Sequence, residues 1–345
     1  MTSQPFDPRS LSRRPIVAAP MGGGPTTADL VVAVAQAGGL GFLAAGYKSV
    51  EAMSAEIANV REGAGAGFGV NVFVPQPRAD PVVVEQYVET LAADAARLDT
   101  RLGEASWDDD SFDAKVEYLL ADPVPIVSFT FGCPDRDVVE ALQHVGTPVA
   151  ITVTSPSEAV IAAAAGADCL CVQGTEAGAH QGTFVNADAP GQDFGLLALL
   201  SEVSRVCDLP MIAAGGIGGP RGMDAVLAAG AVVAQAGTAF LRCPESGTNP
   251  TYRAALTDPR YTVTAMTRAF SGRRARGLLN QFMVDHADAP AAYPEINNAT
   301  RPLRAAAAAE GDADRMSLWA GQAFRSAVDR PAGEVVELLT RGVHS

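Results

Sequence analysis

Along the first 240 or so positions, short runs of consecutive apolar residues alternate with longer stretches in which apolar residues return every three or four places. The runs fall at 15–19, 41–44, 69–73, 126–129, 149–153, 169–172, 211–214 and 232–235, and several are followed at once or within two residues by glycine, proline or glutamine. Continuous apolar runs of this length predict parallel strands buried on both faces. The stretches between them predict helices over 28–37, 49–61, 135–144, 157–165, 194–206 and 220–229. Thr26 or Thr27 can cap the first helix, Gly38-Gly39 ends it, and Pro220 suits the first turn of the last. Repeated strand–helix units over roughly 240 residues predict an α/β fold, a (β/α)8 TIM barrel.

An open doubly wound sheet is the competing arrangement. In Gly215 to Arg221 the spacing supplies Gly216 and Gly218, but Arg221 stands where a dinucleotide fingerprint needs its third glycine. The next strand ends in neutral Gln235 and has no acidic residue for a ribose hydroxyl. The barrel is therefore preferred.

The rhythm breaks twice. Residues 80–121 carry two helical patterns around the acidic turn Asp108-Asp109-Asp110, too much for one crossover, and predict an inserted helical hairpin. Beyond about Pro250 the strand pattern stops, leaving helices and loops, an Ala-rich helix at 301–310 and an amphipathic one at 334–341. The expected organisation is a barrel from 1–79 and 122–250 with the last helix, 332–345, returning to it. A small helical cap domain is expected from 80–121 and 251–331.

Composition narrows the classes. The chain is 48% hydrophobic and 19% charged, which allows a large core. A net charge of −14 argues against nucleic acid and anionic membrane surfaces as partners. Lys48 and Lys115 are the only lysines, so nearly all positive charge is guanidinium. Met1-Thr2-Ser3-Gln4-Pro5 lacks the basic and apolar regions of a secretory signal, and no run reaches membrane-span length, so a cytoplasmic protein is expected. Cys133, Cys169, Cys171, Cys207 and Cys243 are scattered without a zinc spacing. They are read as reduced thiols, and no metal site is expected.

Candidate chemistry follows the strands. Met21-Gly22-Gly23-Gly24, Asn71, the stretch Gln173 to Gly182, Gly215-Gly216 and Gln235 to Thr238 all come after apolar runs, and a barrel gathers such residues at one end. Glycines after the seventh and eighth runs free backbone N–H groups for a phosphate, and Thr238 adds a hydroxyl. Asn71 and Gln173 each end a strand with an amide. Either neighbouring backbone satisfies these amides, or they face a heteroaromatic ring such as the pyrimidine edge of a flavin. His180, in a Gly-rich loop, is placed near the reactive part of that ligand. Blander readings cover the rest: Lys48 as a solvated or capping cation, His144 and His344 as surface residues, and His286 in a polar tail. Arg273-Arg274-Ala275-Arg276 is read as a solvated face or as a partner of the acidic insertion.

The motifs Ala19-Pro20-Met21-Gly22-Gly23, Gly39-Leu40-Gly41-Phe42-Leu43-Ala44-Ala45-Gly46-Tyr47, Gln173-Gly174-Thr175-Glu176-Ala177-Gly178-Ala179-His180, Ala214-Gly215-Gly216-Ile217 and Gln235-Ala236-Gly237-Thr238-Ala239-Phe240-Leu241 together resemble the nitronate monooxygenase family. That resemblance implies non-covalent FMN, with its phosphate at Gly215, Gly216, Gly237 and Thr238. Pro20, Met21, Gly22, Asn71, Gln173, Gly178, Gln235 and Ala236 would surround the rest of the cofactor, and His180 would be the catalytic residue facing substrate. It implies oxidation of an alkyl nitronate by O2 to a carbonyl compound and nitrite. Nitroalkanes are a further substrate class, and because a nitro group acidifies its α C–H, the imidazole of His180 is expected to act as their base. A monomer or homodimer is expected. Two departures from the family pattern stand out: Ala179 replaces a usual glycine, and Gln181 a frequent arginine. The rival readings are an FMN-dependent NAD(P)H:quinone or enoyl reductase and a non-redox phosphosugar enzyme. The latter requires a lysine or carboxylate at a strand end.

Overall fold

In a computed structural model describing residues 6–64, 67–188 and 193–342, eight parallel strands close into a barrel. In chain order the strands are β1 (Ile16–Ala18), β2 (Leu40–Ala44), β3 (Phe68–Phe73), β4 (Val127–Thr130), β5 (Val149–Val153), β6 (Cys169–Gln173), β7 (Ala179–His180), β8 (Met211–Ala214), β9 (Val233–Ala236), β10 (Thr264–Thr267) and β11 (Ala275–Leu278). The barrel takes β1 to β6, then β8 and β9, and Val17 of β1 pairs with both Leu40 and Gln235 to close the ring. The eight apolar runs of the sequence are these eight strands.

Alternation along each strand divides the core in two. Ile16, Leu43, Val70, Ile151 and Leu170 point outward under the surrounding helices. Val17, Leu40, Phe42, Ile126, Ile212 and Val233 fill the barrel's lower interior. Phe42 takes the space a side chain at residue 69 would need, which is why Gly69 sits beside it on β3. Higher up, the inward positions become Asn71, Ser128, Thr130, Thr152 and Gln173, small or polar residues that leave the upper barrel open.

A second apolar layer covers that opening. Tyr87 and Leu91 from the insertion pack there with Phe270, Phe282, Ile296 and Leu303 of the tail. Two expectations need correcting here. The tail contains β10 and β11, paired antiparallel, with β7 added as a third strand. These four-residue strands carry no clean alternation and find their partner in a two-residue segment far away, so local pattern does not show them. The helix Phe112–Ala121 also lies on the barrel, with Val116 and Leu119 in the barrel's outer core beside the helix Arg136–His144. It is the β3-to-β4 crossover.

The last helix, Ala332–Leu339, buries Val335, Val336 and Leu339 and lies against the helix Ala28–Gln36. His344 and the N-terminal Met1-Thr2-Ser3-Gln4-Pro5 lie outside the described residues. All five cysteines are free thiols. No helix among the described residues is long and apolar enough to cross a membrane.

Both lysines are engaged. Lys48 reaches both carboxylate oxygens of Glu56 at 2.7 and 2.6 Å, so it is neither free nor a helix cap. Lys115 has no exposed surface, and its ammonium lies 2.7 Å from Asp110. The other oxygen of Asp110 accepts the backbone N–H of Tyr47 at 2.8 Å, holding Tyr47 at φ 66°. His286, read as a polar-tail residue, is buried and paired with Asp94 at 2.9 Å.

Lys115→Ala strands the Asp110 carboxylate without its cation, and we expect a loss of about 3–5 kcal/mol in denaturant unfolding. Lys115→Met combined with Asp110→Asn removes both charges and should restore most of that stability. Equal losses in the two proteins would show that packing, not the ion pair, is the source.

Candidate active site

A cavity of about 520 Å3 opens at the C-terminal ends of the barrel strands, a volume suited to a small-molecule ligand. The residues expected to hold a cofactor or face substrate line it: Pro20, Met21 and Gly22 after β1, Asn71 on β3, Gln173 on β6, Gly178 in the loop before β7, His180 on β7, Gly215 and Gly216 after β8, and Gln235, Ala236, Gly237 and Thr238 on and after β9. Gly24, Gly174, Thr175, Glu176, Gln181 and Gly182 do not line it.

One side of the cavity presents donors without protein acceptors among the described residues. Gly215 and Gly216 sit at φ 122° and 68°, where a side chain would be strained, between β8 and the helix Pro220–Ala228. Among the described residues, the backbone N–H groups of Gly215, Gly216, Gly237 and Thr238 donate to no protein acceptor. Thr238 Oγ1 accepts from the Gly321 N–H at 3.0 Å, which leaves its own proton free to donate. Four unclaimed N–H groups and a hydroxyl on one wall suit the oxygens of a phosphate. Gly178 has a different reason to be glycine: a Cβ there would come within 2.5 Å of the Gly321 backbone nitrogen, so the tail could not pack against this loop.

The amides divide. The Asn71 side chain donates to Ser128 Oγ at 2.8 Å and Thr130 Oγ1 at 2.9 Å, and its Oδ1 takes no donor among the described residues. Gln173 is a splint for its own loop. Its Nε2 donates to the His180 carbonyl at 3.1 Å, and its Oε1 accepts the Gly182 N–H at 2.7 Å. For Gln173, neighbouring backbone is the partner. Gln235 Nε2 donates to Cys171 Sγ at 3.3 Å across the barrel.

His180 stands on β7, which pairs Ala179 with Arg276 and His180 with Ala275 of β11. Ala179 adopts φ 62°, the left-handed conformation in which glycine costs least, and this accounts for the glycine expected there. Gln181 is buried, with its N–H donating to the Arg274 carbonyl at 2.9 Å. The imidazole Nε2 lies 2.8 Å from Ser271 Oγ, while Nδ1 has no partner among the described residues. Phe131, Tyr293 and Trp319 surround the ring at centroid distances of 5.7, 5.8 and 5.5 Å. Burial, reinforced by the positive charges of Arg273 and Arg304, pushes the His180 pKa down to about 3, so the ring is neutral at physiological pH.

Several of these neighbours come from the tail and were not singled out from the sequence. Arg304 and Trp319 line the cavity, and the Tyr293 hydroxyl donates to the Tyr47 hydroxyl at 3.1 Å. The basic run is neither a solvated face nor a partner of the acidic insertion. Arg273 is fully buried, Arg276 donates to the Thr175 carbonyl at 2.7 Å, and Arg274 pairs with Asp193 at 2.6 Å. Three arginines between two apolar stretches were the only available signal, and it does not reveal which one turns inward.

The family model described as nitronate monooxygenase matches residues 9–342. A nitronate monooxygenase from Pseudomonas aeruginosa is 40% identical over 337 residues, which is 95% of either chain. Among solved structures, a nitroalkane oxidase from Streptomyces ansochromogenes is 50% identical with a TM-score of 0.93 and covers 96% of each chain. FabK from Thermotoga maritima is more distant, at 26% identity and a TM-score of 0.72, covering 95% of this chain and 92% of that one.

The depressed basicity of His180 has a consequence for stability. An unfolded imidazole gains its proton below about pH 6.5, whereas His180 in the fold resists until about 3. The unfolded state therefore binds more protons in that window. Stability is complete above the unfolded pKa and falls as pH drops, by up to about 1.4 kcal/mol per pH unit. His180→Asn should narrow the stability difference between about pH 6.5 and pH 5 by about 1–2 kcal/mol. An unchanged pH dependence in denaturant unfolding would mean that the imidazole titrates normally.

Proposed function

The chain belongs to the nitronate monooxygenase family, and on that premise we propose that it holds FMN in the barrel cavity and oxidises alkyl nitronates with O2 to a carbonyl compound and nitrite. The observation that carries this reading is that an anion cradle and a neutral, aromatic-walled imidazole face one cavity. Family membership makes the chain a flavin-dependent enzyme acting on small molecules. Bound there, FMN would supply the redox chemistry, accepting electrons from the nitronate for delivery to O2.

The residues present fit that cofactor. Gly215, Gly216, Gly237 and Thr238 offer unclaimed donors for its phosphate. Asn71 and Gln235 bring amides to the inner wall for the ring and ribityl chain, while Pro20, Met21, Gly22 and Ala236 line the same space. Gln173 fixes the loop that presents His180 and so acts through it. His180 Nδ1 is the nitrogen open to substrate, because Nε2 is engaged by Ser271. A nitronate has already lost its α-proton and needs no base. A neutral nitroalkane must give that proton to a weakly basic ring, so the site favours nitronates. No lysine or carboxylate is found among the lining residues, which removes the groups that a phosphosugar enzyme would require.

The protein should purify yellow with about one releasable FMN per chain. A colourless protein that also fails to bind added FMN would overturn the cofactor assignment. Gly237→Asp places a carboxylate beside the phosphate and should weaken FMN binding by more than about tenfold, measured by flavin release on dilution. Unchanged retention would put the phosphate elsewhere.

For His180→Asn, kcat/KM on nitroethane should fall by roughly 10²–10⁴ and on ethyl nitronate by far less, with FMN content matched. Equal losses on both substrates would remove the base role and leave His180 a role in positioning.

A further inference from the structure

Arg273 has no exposed surface, and no carboxylate pairs with it among the described residues. Burying an unpaired cation is costly, and the usual remedy is an acidic partner. Here the guanidinium is held by neutral oxygens alone: Gln76 Oε1 at 2.9 Å, the Gln181 carbonyl at 3.3 Å, Thr183 Oγ1 at 3.2 Å and the Thr183 carbonyl. Its central carbon lies 4.1 Å from the centre of the Phe131 ring. Phe131 lines the cavity and meets the His180 imidazole edge-on. The positive charge thus sits one aromatic ring away from the substrate space, on its dry side.

We propose that Arg273 is a specificity-determining residue: a buried guanidinium without a counter-ion that gives the substrate end of the cavity a fixed positive potential. The site then takes planar monoanions of the nitronate type in preference to neutral nitro compounds. The inference rests on the functional reading above and names the part of the chain that selects for charge.

The other charged and titratable groups around this end agree with it. Arg304, on the helix Glu295–Glu310, gives its bonds to the carbonyl and amide oxygens of Asn297 and has no paired carboxylate among the described residues. Glu158 is occupied by Thr154 and by the Phe184 N–H. Arg268 pairs with Asp188, away from the cavity. Asp110 is committed to Lys115 and to the Tyr47 backbone. The Tyr47 and Tyr293 hydroxyls bond each other. Burial lowers the Arg273 pKa only to about 10, so its charge persists at neutral pH while His180 stays uncharged. Attraction for an anion here comes from guanidinium, and its strength does not follow imidazole protonation.

Nitrate, a planar monoanion that cannot be oxidised, is the probe. Its affinity for the purified FMN-loaded protein is measured by calorimetry and by perturbation of the flavin spectrum. The dissociation constant should hold within about twofold from about pH 6 to pH 9. Arg273→Met should weaken nitrate by about tenfold or more, and Arg273→Lys by less than about threefold. An affinity that falls about tenfold per pH unit across that range would make imidazolium the anion site and overturn the proposal, as would an Arg273→Met protein that binds nitrate normally. The pH series on the unsubstituted protein separates guanidinium from imidazolium, and if Arg273→Met does not fold, Arg273→Gln takes its place, with normal nitrate binding in that variant overturning the proposal. A protein without flavin would count against the cofactor assignment, while calorimetry with nitrate still tests Arg273.

Discussion

The active end of this molecule depends on one small ladder, the pairing of Ala179-His180 with Ala275-Arg276. Two residues of strand are too few to hold a conformation alone. The segment is fixed from three sides: by β11, by the Gln173 amide that bonds the His180 carbonyl and the Gly182 N–H, and by Gly321 packed against Gly178. The cap is therefore more than a cover over a finished barrel. It supplies the strand that sets His180, the serine that orients its ring, and the two rings and two charges of Tyr293, Trp319, Arg273 and Arg304 around it.

Charge is partitioned with equal economy. The chain carries a net charge of −14, yet the charged or titratable groups lining the cavity beyond its tyrosines and cysteine are His180, Arg301 and Arg304. The acidic residues are spent elsewhere, in pairs such as Asp94 with Arg315 and Asp110 with Lys115, or on the surface. Burial amplifies this arrangement, because uncompensated charge acts over longer distances where the surroundings are less polarisable than water. The same burial keeps the imidazole neutral.

The barrel was legible because strands buried on both faces read as short, mainly apolar runs, broken only by single polar residues such as Asn71, Ser128 and Thr152 that face the cavity. The cavity wall was legible for a related reason. Parallel strands end on one side, so residues following them meet whatever their separation in sequence. Gly215 and Gly237 could therefore be placed together without any sign of contact between them. What stayed hidden came from elements that obey no such rule. Arg304 and Trp319 reach the cavity, and Arg273 and Tyr293 reach the rings beside it, through tail segments whose docking local pattern does not encode. Lys115 looked like any helical lysine, since burial with Asp110 depends on where the crossover helix lands. Gln173 has the same sequence signature whether it braces a loop or meets a ligand.

The scarcity of lysine gives the surface an unusual chemical silence. Lys115 is sealed inside, and the Lys48 side chain is only 21% exposed and is held by Glu56. Acylating reagents, cross-linkers and amine-reactive supports meet few nucleophilic side-chain nitrogens here, because the remaining cations are guanidinium groups that do not react with them. Lys48 also directly follows Tyr47, a residue of the cavity wall. Any attachment through that amine would turn the open end of the barrel toward the support. Immobilisation of this enzyme is better directed at its carboxylates, which are abundant and spread over the outer helices.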